Sequence, residues 1–63
     1  MMYYLYLDGR TVKLAAGDQK LALELHNQGH ELGNRPFPTR EEAESERAAW
    51  QARVDDGMRR SRL

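Results

Sequence analysis

Apolar and polar residues alternate from Met2 to Ala16, and the alternation is interrupted once, at Asp8-Gly9. A period of two marks a half-buried strand, and Asp-Gly between two such runs is the strongest short-range signal for a two-residue hairpin loop. The pattern predicts strands over 2–7 and 10–15. With Asp8 and Gly9 as the loop, Leu7 faces Arg10, Tyr6 faces Thr11, Leu5 faces Val12, Tyr4 faces Lys13 and Tyr3 faces Leu14. That register puts Tyr3, Leu5, Leu7, Val12 and Leu14 on one face, the predicted core side. Met2, Tyr4, Tyr6, Thr11 and Lys13 fall on the other.

The segment from Gln19 to Gln28 carries two conflicting signals. Leu21, Leu23 and Leu25 alternate as a strand would, yet the segment is built from strong helix formers and has no β-branched residue. Asp18 before it suits an N-cap, and Gly29 after it suits the left-handed position that closes a helix. The flanks decide for a helix over 19–28. His30 to Leu32 then fits a short third strand or extended chain. Gly33-Asn34-Arg35-Pro36-Phe37-Pro38 reads as a linker, because each proline fixes its own φ and drives the preceding residue towards extended backbone. Phe37, between the prolines, is placed to plug the core.

A second helix is signalled at Thr39. In Thr39-Arg40-Glu41-Glu42 the hydroxyl can accept from the Glu42 N–H while the Glu42 carboxylate reaches back to the Thr39 N–H, a capping box. Glu41, Glu42, Glu44 and Glu46 crowd the first turns and Arg59, Arg60 and Arg62 the far end, each where the helix dipole favours its charge. Ala43, Trp50 and Val54, with the stem of Arg47, form one stripe that should lie on the hairpin, flanked by Ala48, Ala49 and Ala52. Gly57 weakens the helix beyond it, and residues 58–63 read as a last turn that continues or frays. The expected fold is one small α+β domain over 1–63, in the order ββα(β)α.

Length sharpens this picture. At 63 residues a chain buries only about 60% of its unfolded surface, so its core is thin and a partner chain would add needed burial. The absence of cysteine excludes disulfides and thiolate metal sites, which suits a reducing compartment. Met1 to Leu7 lacks a basic flank and is too short to span a bilayer, so the expectation is a soluble, cytoplasmic protein. Ten acidic and ten basic residues cancel, which argues against binding driven by global charge. All the basic residues but Lys13 and Lys20 are Arg and Ile is absent, a bias that points to a GC-rich bacterial or phage genome.

Candidate chemistry is sparse. His26 and His30 have a metal-ligand spacing with Glu24 and Glu31 nearby, but Gly29 between them should throw His30 off the helix, so no metal is expected. Ser45 has no local histidine to activate it, and the paired carboxylates Glu42 and Glu46, or Asp55 and Asp56, belong to a solvated helix. The glycines stand singly at element boundaries, so no phosphate loop is present. No catalytic residue, cofactor or small-molecule substrate is expected.

The most functional pattern is Tyr4 and Tyr6 beside Lys13 on the outer hairpin face, since exposed aromatics beside a cation suit a protein interface or a base-stacking platform. A helix covering that face is the competing explanation. The expectation is a non-enzymatic protein-binding module, an adaptor, regulator or inhibitor, with an inhibitor of a host defence complex as one specific member of that class. Its contacts would be Tyr4, Tyr6, Lys13, Arg10, Arg59 and Arg60, and its partner another protein or a second copy as a homodimer. Nucleic acid, held by the tyrosines, Arg10, Lys13 and the terminal arginines, ranks second.

Overall fold

A computed structural model describes the backbone of residues 1–60 and the side chains of residues 1–57. It is an α+β fold: strands β1 (Met2–Asp8) and β2 (Thr11–Gly17), helix α1 (Gln19–Asn27), strand β3 (Glu31–Leu32) and helix α2 (Arg40–Arg60). The sheet is antiparallel in the order β2-β1-β3, so the first strand is the central one. Sequence positions 61–63, with Arg62, lie outside the described residues.

The hairpin forms in a register two residues away from the expected one. Leu7 pairs with Val12, Tyr6 with Lys13, Leu5 with Leu14, Tyr4 with Ala15 and Tyr3 with Ala16, and the loop is Gly9-Arg10. Gly9 has φ +62 and, among the described residues, no residue other than glycine has positive φ, the pattern of a II′ turn with glycine at its first central position. An Asp8-Gly9 loop of the alternative I′ type would force Asp8 to positive φ as well. It would also set Leu7 against Arg10, whereas the observed register sets it against Val12. Because the shift is even, each side chain keeps its predicted face.

Leu5, Val12, Phe37 and Ala43 form the buried core, with Tyr3, Leu7, Leu14, Trp50 and Val54 packed around them. The core therefore lies between the predicted sheet face and the predicted stripe of α2. Thr39 caps that helix: its hydroxyl accepts from the Glu42 N–H at 3.3 Å and its carbonyl from the Ala43 N–H at 3.2 Å. The Glu42 half of the capping box is not made. Arg40 and Glu44 pair across one turn at 3.1 Å, both well exposed. The backbone helix continues through Gly57 to Arg60.

The Gln19–Asn27 segment is a helix, as its flanks indicated. Asp18 Oδ1 accepts from the Lys20 N–H at 3.0 Å. At the other end the His30 N–H reaches the Leu25 carbonyl and the Gly29 N–H the His26 carbonyl, with Gly29 at φ +90. This is a Schellman motif, in which a left-handed glycine lets the last carbonyls find donors. The helix lies on the sheet face opposite α2: Gly17 shares the Tyr4 and Tyr6 face, and a Cβ built on it would meet Leu21 Cδ2 at 2.7 Å. Leu25, buried apart from the main core, belongs to this second layer.

After α1 the chain returns alongside β1. Glu31 pairs with Leu7 and Leu32 with Tyr6, the Gly33 N–H donates to the Leu5 carbonyl at 2.8 Å, and Tyr3 and Phe37 exchange both backbone bonds. From Gly33 to Phe37 the chain takes four steps while β1, from Leu5 to Tyr3, takes two. Asn34, Arg35 and Pro36 are therefore pushed out as an exposed bulge. Phe37 returns to the core at 6% exposure, where the sequence placed it.

Candidate functional site

Hairpin pairing assembles three of the candidate residues. Tyr4 and Tyr6, two apart on β1, point to one face, and Lys13 lies directly across from Tyr6 on β2. Both tyrosines are half-buried, because α1 shares their face. Neither of the two explanations offered by the sequence applies alone: the helix covers the tyrosine bodies in part and leaves a partly exposed strip. Tyr6 is further fixed by His30, whose ring stands edge-on to it with centroids 5.0 Å apart. His30 Nδ1 lies 3.1 Å from the Leu7 carbonyl, which can only accept, so Nδ1 carries the proton. Gly29 turns His30 off the helix that carries His26, and the ring joins the sheet instead. Among the described residues no three His, Cys, Asp or Glu side chains converge as metal ligands would.

The Lys13 ammonium sits 2.8 Å from an Asp8 carboxylate oxygen, with both side chains about half exposed (48% each). This hydrogen bond, reinforced by the opposite charges, holds Asp8 below the ordinary aspartate range and Lys13 above the ordinary lysine range. Each partner thus favours the charged form of the other. It also leaves little net positive charge beside the tyrosines.

The remaining candidates lie elsewhere. Arg10 is exposed at the hairpin tip, where its carbonyl accepts from Gln51 Nε2 at 2.9 Å. Arg59 and Arg60 lie on α2, the layer opposite the tyrosines, and nine residues of helix carry Arg60 about 13 Å along the axis beyond Gln51. Of the six candidates, the hairpin brings together Tyr4, Tyr6 and Lys13.

The sequence did not reveal a cavity of about 280 Å³ between α2 and the 33–37 bulge, floored by Leu5, Leu32 and Trp50 and bordered by Arg35 and Arg53. Arg35 stacks over Phe37, its guanidinium carbon 5.0 Å from the ring centroid. Glu31 and Glu46 face the same space, so its charges are mixed. Arg53, three residues after Trp50, was the one available signal.

A second feature hidden in the sequence is the role of Gln51. Its Oε1 accepts from the Val12 N–H at 2.7 Å, and its Nε2 donates to Arg10 O and, at 3.2 Å, to Asp55. Arg47 adds a longer 3.4 Å contact to the Val12 carbonyl. In an antiparallel pair closed by Gly9-Arg10, alternate residues turn their N–H and C=O away from the partner strand. On β2 those residues are Val12, Leu14 and Ala16. Helix α2 thus seals the outer edge of β2 at Val12 with two polar side chains.

The chain matches no family model, no curated protein and no solved structure in comparisons with each. No helix among the described residues is long and apolar enough to cross a membrane.

Proposed function

We propose that the protein is a non-enzymatic protein-binding module, an adaptor, regulator or inhibitor, whose contact surface is centred on Tyr4 and Tyr6. The carrying observation is that both tyrosines lie half-exposed on one sheet face beside the aliphatic stem of Lys13. Large, rigid aromatics held by a sheet lose little side-chain entropy on binding, which is why they dominate interface energetics. The Asp8–Lys13 pair supports protein over nucleic acid as the partner, since the nearest cation to the tyrosines is already matched by a carboxylate. A cytoplasmic site of action in a bacterium or phage-infected cell, including inhibition of a host defence complex, belongs to this same proposal.

The test is affinity capture by the full chain from a lysate of its source, quantified by mass spectrometry, comparing wild type with Tyr4→Ala. Tyr4 is chosen because Tyr6 also contacts His30. The expected result is a partner lost by at least about tenfold from the folded variant, on the scale of a residue that contributes 1.4 kcal/mol or more to binding. Equal capture by both proteins contradicts the placement. A complex with nucleic acid that weakens steeply between 50 and 200 mM salt would replace the proposal with the second-ranked reading.

A further inference from the structure

Strand β2 is one edge of the sheet, and its outer side is only half sealed. Gln51 and Arg47 occupy Val12, whereas the outward N–H and C=O groups of Leu14 and Ala16 meet no partner among the described residues. After Gly17 the strand ends, because Asp18 caps α1. The open stretch is therefore Lys13 to Gly17, five residues centred on Ala15. It holds no proline and no bulge and carries one charge, Lys13, so most of the usual protections of an exposed edge are absent.

We infer that this edge pairs with the same edge of a second copy of the chain, antiparallel about a two-fold axis through Ala15, to give a continuous six-stranded sheet. The inference is independent of whether the tyrosine face has a partner. Three features single out a second copy as the occupant. First, the hydrogen-bonding residues Leu14 and Ala16 are equidistant from Ala15, so Leu14 exchanges bonds with Ala16 of the second copy and the reverse. Second, side chains complement across the axis: Lys13 lies opposite a glycine, Leu14 opposite an alanine, and Ala15 opposite itself. Third, the pairing stops by itself, since the next outward residue, Val12, is already bonded to Gln51 and would face Asp18, where the strand has ended.

A two-fold axis normal to the sheet also keeps both copies of α1 on one side, where Leu23 is 60% exposed. Five paired residues make a small interface, at the weak end of specific association, so the test must reach about 1 mM chain.

Mass is measured by light scattering or sedimentation on the full chain from about 10 μM to 1 mM. The expected result is a concentration-dependent rise towards twice 7.3 kDa. Ala16→Pro removes an N–H that the hairpin does not use, at an edge position where proline is tolerated, and should return the mass to that of the monomer. Ala15→Glu sets two carboxylates against each other and should do the same. In the wild type, exchange of the Leu14 and Ala16 amides should slow by about tenfold or more as the dimer forms, while Val12 changes little. A monomer at 1 mM overturns the inference. So does a dimer that survives in both folded variants, or one in which the Leu14 and Ala16 amides stay unprotected.

Discussion

Gly9 shows how one backbone angle can select a register. At φ +62 it tolerates what an L side chain resists, and a Cβ there would meet nothing within 4 Å. The cost of Gly9→Ala is therefore conformational and not steric, about 1–2 kcal/mol. Urea denaturation should show that loss with an unchanged slope, because the surface exposed on unfolding is the same. A stability change near zero would mean that the turn does not hold Gly9 in the left-handed region. Asp8 gains from the same register: it sits at the hairpin end of β1 and reaches Lys13 diagonally across the pair, which an Asp in the loop itself would not do.

At the scale of elements, α1 meets the end of β2 in one very close approach. Gly17 gives way to Leu21 so closely that an added Cβ would lie 2.7 Å from Cδ2 and 3.0 Å from Leu21 Cβ. The methyl can rotate, but Leu21 Cβ is tied to the helix backbone. Gly17→Ala should therefore push α1 off the sheet and destabilise the fold by about 1–3 kcal/mol. Adding Leu21→Ala should recover part of that loss, so a double-mutant cycle in thermal unfolding should be non-additive; additive effects would place Gly17 and Leu21 apart. This packing also shows why some elements could be read from sequence and others could not. The strands, the α2 stripe and the Thr39 start follow from local periodicity and capping. The helix over 19–27 was legible through Asp18 and Gly29, not through its leucines, since Leu21 and Leu25 face the sheet while Leu23 is exposed. Gln51 gave no local sign, because its partners on Arg10 and Val12 are 41 and 39 residues away in the chain.

The whole molecule is a sheet with unlike sides. On one side α2 covers the apolar face and reaches over the β2 edge; on the other α1 leaves a strip containing Tyr4, Tyr6 and Lys13 partly exposed. The faces were readable from alternation, and the two-residue shift did not disturb them. Which backbone groups point outward was not readable, since it depends on the register itself. In the register expected from Asp8-Gly9, Val12 and Leu14 would turn inward to β1 and Lys13 and Ala15 outward. Gln51 could not then reach the Val12 amide, and the open edge would have a different set of donors. The Tyr4 and Tyr6 strip would survive that change, but the seal at Val12 and the two-fold pairing would not.

The seal at Val12 and the two-fold pairing both depend on the hairpin register, and inter-strand Hα–Hα contacts in a nuclear Overhauser spectrum report it directly, because non-hydrogen-bonded antiparallel pairs bring their Cα atoms to about 4.5 Å. The predicted contacts are Leu7 with Val12, Leu5 with Leu14 and Tyr3 with Ala16. Contacts of Tyr6 with Thr11 and of Tyr4 with Lys13 in their place would contradict it.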